Sequence, residues 1–234
     1  MSGTVWSVAE KAISTEVGKD LLNGVLRLPA QLSALVVLTH AGQLPAARDD
    51  ALSVILQHAG IGTLRLDLLT GGEGQQTERA RNVPLLARRL LDGLSLLKRR
   101  MRLGEVPTLP IALCAAGDCS PVVLRVAAER DRDIYAVVCR GGLIDLAGTL
   151  YLRSLRSPLL VLVAEDDERV ATSNRRALRE VSCRHELRLL PAGVDAPDAA
   201  AASEQVARET ALWLVKHLPA PSGSLAVDRC ETGN

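Results

Sequence analysis

The chain has 234 residues, of which 47% are hydrophobic and 24% charged, enough for one domain with its own core and no need of a metal or disulfide to hold it. Aromatic residues make up 2% and Phe is absent, so the core must be built from Leu, Val, Ile and Ala, and base-stacking on aromatic platforms is excluded as a binding mode. With 28 basic against 27 acidic residues, nothing draws the chain as a whole to nucleic acid or to an anionic membrane.

Five cysteines (Cys114, Cys119, Cys139, Cys183 and Cys230) are an odd number without zinc spacing. Three of them fall in apolar runs and read as small buried hydrophobes of a reducing compartment. No secretory leader and no apolar run near 18 residues is evident, so a cytoplasmic location is expected, with no membrane and no cofactor.

Met1 to Glu10 carries no clear pattern and is expected to be an N-terminal segment ahead of a single domain over residues 11–218. Ile13–Lys19 and Leu21–Leu28 flank a turn at Lys19-Asp20 and predict an antiparallel hairpin. Ser33–Thr39 (SALVVLT) is a continuous apolar run with β-branched residues, a buried strand. Asp49–His58 has helical spacing and Gly60 follows as a C-cap. Gly62–Leu69 is the next strand, and the Gly- and Gln-rich stretch Thr70–Thr77 a loop.

Pro84–Arg100 predicts a long amphipathic helix, Pro lying in its first turn. The basic run Lys98-Arg99-Arg100-Met101-Arg102 at its end suits the helix dipole better than a phosphate site. Pro110–Ala115 is a buried strand, Pro121–Arg130 a helix and Ile134–Cys139 a strand ended by Gly141-Gly142. Leu143–Leu155 is irregular and helical, Pro158–Ala164 a strand, Ser173–Val181 a helix, His185–Leu190 a strand and Ala199–Leu218 the last helix. Residues 219–234, rich in Pro, Ser and Gly, are expected to be a disordered tail. Strict alternation of strand and helix from Ser33 to Leu218 implies an α/β domain: a mostly parallel twisted sheet of seven to eight strands, helices on both faces, the hairpin at one edge and no large lid.

Several local words carry a resemblance. Val36-Val-Leu-Thr-His40-Ala-Gly is similar to a strand with an HG-type oxyanion loop. Ala59-Gly-Ile-Gly-Thr-Leu-Arg-Leu-Asp67-Leu-Leu is similar to the strand that follows. Pro110-Ile-Ala-Leu-Cys-Ala-Ala-Gly117-Asp-Cys resembles the strand entering a nucleophile elbow. Ala136-Val-Val-Cys-Arg140-Gly-Gly-Leu-Ile-Asp145-Leu-Ala-Gly resembles the next strand and its loop. Val161-Leu-Val-Ala-Glu-Asp166-Asp167 resembles an acid-bearing loop. Together, from about Thr15 to Leu218, they resemble the dienelactone-hydrolase-like branch of the α/β hydrolases.

That resemblance implies a nucleophile on a strained strand-to-helix turn, a His base, an acid that orients it, and backbone donors for an oxyanion. It puts Gly117 at the nucleophile position, within Ala115-Ala116-Gly117-Asp118-Cys119, and Asp195 at the base position, within Pro191-Ala192-Gly193-Val194-Asp195. Asp167 matches the acid. A register two residues later would make Cys119 the nucleophile, at a helix N-terminus that would lower a thiol pKa. Ser120, in the first turn of the next helix, is a poor nucleophile.

His40, Ala41 and Gly42 form the expected oxyanion loop, with Asp118, Arg140 and Asp145 near the pocket. Asp118, Asp167 and Asp195 could alternatively converge on one rim and do acid–base chemistry or hold a cation; no metal is expected from ligand spacing. His58, His185 and His217 read as surface or capping residues.

The sequence thus favours a degenerate-triad, non-hydrolytic protein that binds a small molecule or docks a partner. The alternative is an enzyme with altered chemistry: a Cys119-dependent hydrolase, or an isomerase- or cyclase-type acid/base catalyst acting through Asp118, Asp195 or His40. A homodimer could use the Leu-rich face of Leu85–Leu97, though packing on the sheet explains that face equally well.

Overall fold

The computed structural model describes residues 9–17, 20–42, 46–70, 73, 77–130, 133–191 and 199–220. Expectations for Asp195 and Cys230, and for the tail from 221 onward, lie outside the described residues. Eight strands form one sheet: β1 (Ala9–Val17), β2 (Asp20–Leu28), β3 (Ala34–His40), β4 (Ile61–Asp67), β5 (Ile111–Ala116), β6 (Ile134–Arg140), β7 (Leu159–Ala164) and β8 (His185–Leu190). Their spatial order is β1-β2-β4-β3-β5-β6-β7-β8. β1 and β2 pair antiparallel, as the hairpin pattern predicts, with Val17 opposite Asp20. β2 also pairs antiparallel with β4, and every pairing from β4 to β8 is parallel.

The strands that read as uninterrupted apolar runs are those buried on both faces. β3, β5 and β7 are buried along nearly their whole length, which suits parallel strands covered by helices. One face packs under α3 (Val83–Arg102), α4 (Ser120–Glu129) and α6 (Glu168–Leu178). There Leu35, Val37, Leu113, Val137 and Val161 meet Leu86, Leu90, Val123 and Ala171. The other face packs under α1 (Ala46–His58) and α7 (Ala199–Lys216), where Val36, Leu38, Cys114 and Val138 meet Leu52, Leu56, Trp213 and Leu214. Between them run a short helix α2 (Thr77–Ala80), and α5 (Thr149–Ser154) after β6. No helix among the described residues is long and apolar enough to cross a membrane.

Two expectations are corrected. The Leu-rich stripe of Leu85–Leu97 is spent on the core, with Leu86, Leu90, Leu94 and Leu97 buried, so it offers no dimer face. The sixth helix begins at Glu168 rather than Ser173, because the Asp167 carboxylate accepts the backbone N–H of Val170 at 3.1 Å and caps it. The stretch after β4 is anchored by charge. Glu73, 7% exposed, accepts two hydrogen bonds from Arg89 of α3, at 2.6 and 3.1 Å, and a third contact from Arg79. It also accepts the Thr70 N–H at 3.1 Å, while Arg89 donates to the Leu68 carbonyl at 3.0 Å.

The Arg89 guanidinium, before the other contacts, holds the Glu73 carboxyl down to about 2 from its ordinary 4.5. A depressed acid stabilises the fold above its unfolded pKa and loses that contribution as pH falls through the folded one. Wild type should therefore exceed Glu73→Gln in stability at neutral pH by urea denaturation, with the gap closing between about pH 4.5 and 2. A gap unchanged at the acid end would refute this role. Arg89→Met, which leaves a carboxylate buried without its main partner, should cost about 3–5 kcal/mol.

Candidate functional site

The C-terminal ends of the parallel strands carry nearly all the residues singled out by sequence. β5 leaves the sheet through Ala116 in extended conformation and enters a 3-10 turn, Gly117–Cys119, that leads into α4. Gly117 sits at φ +53°, a left-handed conformation that L side chains resist, and a β-carbon built on it would meet nothing within 4 Å. The elbow thus keeps its sharp turn, and the space above it is open.

The opposite wall leaves no such room. A β-carbon on Gly142, at φ +80°, would stand 2.0 Å from the Gly117 carbonyl oxygen. Three side-chain bonds hold the two backbones in that contact. Ser120 Oγ donates to the Gly141 carbonyl at 2.7 Å. Asn174 of α6, fully buried, donates from Nδ2 to the Gly142 carbonyl at 3.0 Å and accepts the Ile144 N–H on Oδ1 at 3.1 Å. Ser120 is accordingly a buried structural hydroxyl.

Cys119 is 1% exposed and packed in the core under α4. Burial, with the charges of Asp118 and Asp67 adding to it, pushes its thiol up to about 12. The expected lowering by the helix N-terminus is therefore overturned: desolvation disfavours the thiolate more than the helix dipole favours it.

His40 and Asp67 close β3 and β4 and are register partners across the sheet. His40 Nε2 lies 3.8 Å from Asp67 Oδ2. The other carboxylate oxygen accepts the Leu69 N–H at 2.9 Å and the Gly42 N–H at 3.4 Å, so Asp67 is oriented by backbone on one side and faces the imidazole on the other. Ala41 packs against the core and Gly42 turns at φ +90°. The Gly42 N–H thus serves the carboxylate.

The described carboxylates of the other loops each have a local partner. Asp118 is exposed and pairs with Arg81 at 3.6 Å. Asp145 accepts from Ser173 Oγ at 3.3 Å, joining the turn after β6 to α6. Asp167 is exposed and caps α6. Arg140, half-buried, ends β6 opposite Ala116, on the elbow's own strand pair. Among the described residues no group of three or more His, Cys, Asp or Glu side chains could hold a metal ion.

Sequence reasoning missed Asp67, Gly142, Asn174 and the Glu73–Arg89 pair. Asp67 was visible as a carboxylate ending the strand after the His40 strand. Arg89 was visible as a cation on the apolar stripe between Leu86 and Leu90, a spacing that demands a buried partner. Asn174 gave no signal beyond being an amide in an amphipathic helix.

No family model matches the chain. Its backbone superposes on the crystal structure of a dienelactone hydrolase from Anabaena variabilis with a TM-score of 0.80, at 29% identity over 91% of this chain and 99% of that one. Est1E from Butyrivibrio proteoclasticus gives 0.71 at 13% identity, over 88% and 98%. A cold-adapted esterase from an Arctic intertidal metagenomic library gives 0.70 at 18% identity, over 94% and 100%. The fold is that of the α/β hydrolases, in its dienelactone-hydrolase-like form. In sequence, the chain is 29% identical over 218 residues to proteins of two Mycobacterium tuberculosis strains that bear the name "Putative phosphoribosyl transferase". The match takes in 92% of this chain but 48% of those relatives, so the chain spans about half their length.

The two glycines should respond differently to a methyl group. Gly142→Ala should cost about 3 kcal/mol or more, since the clash is with backbone. Gly117→Ala should cost about 1–2 kcal/mol, the left-handed penalty alone. Asn174→Ala, which strands two buried backbone groups, should cost about 2–4 kcal/mol. Denaturant unfolding measures all three; equal costs for the two glycines would contradict the close approach.

Proposed function

We propose that this chain is a non-hydrolytic α/β-hydrolase-fold protein that binds a small molecule over Gly117, at the C-terminal ends of β3, β5 and β6. One observation carries the reading. The elbow turn persists with no side chain on it, while the nearest nucleophile-bearing residues, Cys119 and Ser120, point into the core. Asp167, the acid of the resemblance, serves as a helix cap, and the base position holds Asp195. Ester hydrolysis through an acyl-enzyme needs a nucleophile and a base together, and losing both removes the covalent route.

A second reading rests on the His40–Asp67 pair. A carboxylate fixed by two backbone N–H groups and facing an imidazole is the usual way to orient a general base. In this reading the pocket moves protons on a bound ligand, as an isomerase or cyclase does, with His40 as the acid/base.

Phosphoribosyl transfer, which the names of the Mycobacterium tuberculosis relatives denote, we assign to the part of those proteins outside the matched stretch. This chain has the hydrolase fold, and it spans about half the length of those relatives. Cys119 and Cys139 are buried thiols outside any disulfide among the described residues, which favours a reducing compartment such as the cytoplasm.

Incubation with p-nitrophenyl acetate and butyrate, and with fluorophosphonate and iodoacetamide probes, separates these readings. Binding without hydrolysis predicts no turnover above background and no labelling of Cys119 in the native state. Turnover abolished by Cys119→Ala would defeat the proposal. Proton transfer is tested by deuterium exchange into small ketones: exchange lost in both His40→Asn and Asp67→Asn would establish the second reading, and no exchange would remove it.

A further inference from the structure

The charge of the molecule is nearly balanced overall but sharply divided along α6. Ahead of the helix and in its first turn stand Glu165, Asp166 and Glu168, all exposed. At its other end stand Arg175, Arg176 and Arg179, also exposed. Two further arginines come to the same end from other elements. Arg153 of α5 pairs with Glu180 at 2.7 Å, and Ser182 Oγ donates to its carbonyl at 3.3 Å. Arg184 precedes β8, its carbonyl accepting the Leu159 N–H at 2.9 Å.

The helix macrodipole accounts for Glu168 and for the arginines of the last turn. It accounts neither for Glu165 and Asp166, which lie before the cap, nor for Arg184, which lies on another element. Within the described residues no ion pair neutralises Glu165, Asp166 or Glu168, and none neutralises Arg175, Arg176, Arg179 or Arg184. The 11-residue helix puts the two unneutralised clusters about 16 Å apart on one exposed ridge. A cleft of about 580 Å³ runs along the helix, lined by Asp145, Glu168, Arg169, Thr172, Ser173 and Arg176.

We propose that this ridge is the interface of a two-fold homodimer, with α6 packed antiparallel to α6 of a second copy. A two-fold axis crossing the helix near Thr172 brings the acidic end of each copy onto the basic end of the other, so one surface satisfies itself twice. Antiparallel helices also oppose their macrodipoles favourably. The cleft receives side chains of the partner ridge. A parallel arrangement would set acid on acid and base on base, and like charges in contact repel.

The test is a charge swap read by sedimentation equilibrium. One variant carries Arg175→Glu, Arg176→Glu and Arg179→Glu; the other carries Glu165→Lys, Asp166→Lys and Glu168→Lys, with the cap Asp167 kept. Wild type at low ionic strength should show twice the monomer mass and shift toward monomer at high salt. Each variant alone should be monomeric, because both ends then repel. An equimolar mixture of the two should regain the doubled mass, since every acidic end again meets a basic one. That rescue also shows that both variants fold. Monomeric wild type at low salt, a dimer indifferent to either variant, or a mixture that stays monomeric would each overturn the proposal.

Discussion

The backbone of Gly142 lies so close against the carbonyl of Gly117 that no side chain fits between them. Much of the site follows from that contact. It forces glycine after β6, it fixes the path of the loop that carries Asp145, and it makes Asn174 a strut. Oδ1 and Nδ2 of that single amide hold Ile144 and Gly142 from the far side. The elbow is thus a tightly packed construction in which the open space above Gly117 is met by no side chain of that residue.

A nucleophile elbow stores backbone strain for the sake of the side chain it displays. Here a glycine adopts the turn at little cost, and the surrounding packing still over-determines it. The retained turn and the missing side chain are the observations on which the proposed binding role rests. Burial drives the nearby thiol toward its neutral form, Asp118 pairs with Arg81 at the surface and Asp167 caps α6.

Much of the architecture was legible in sequence, because parallel strands buried on both faces read as uninterrupted apolar runs. The Ser33–Thr39, Pro110–Ala115 and Pro158–Ala164 runs each match a strand to within one residue at either end. The site was legible in position but not in use. Asp167 was recognisable as a carboxylate after β7, yet its capping role shifted the start of α6 by five residues. Cys119 sat at a helix N-terminus, but whether a thiol there meets solvent or core depends on the turn of a single residue, Gly117, and on tertiary packing. Glu73 and Arg89 are 16 positions apart, and only the fold shows that this buried cation and this loop carboxylate pair with each other.

The proposed loss of hydrolysis rests on Gly117 and Asp195, which stand where the family resemblance sets a nucleophile and a base. Installing both groups tests it most directly. Initial rates of p-nitrophenyl acetate hydrolysis should be at background for wild type and should rise well above it in the Gly117→Ser/Asp195→His double variant, with neither single variant matching it. A wild-type rate equal to that of the double variant would contradict the account.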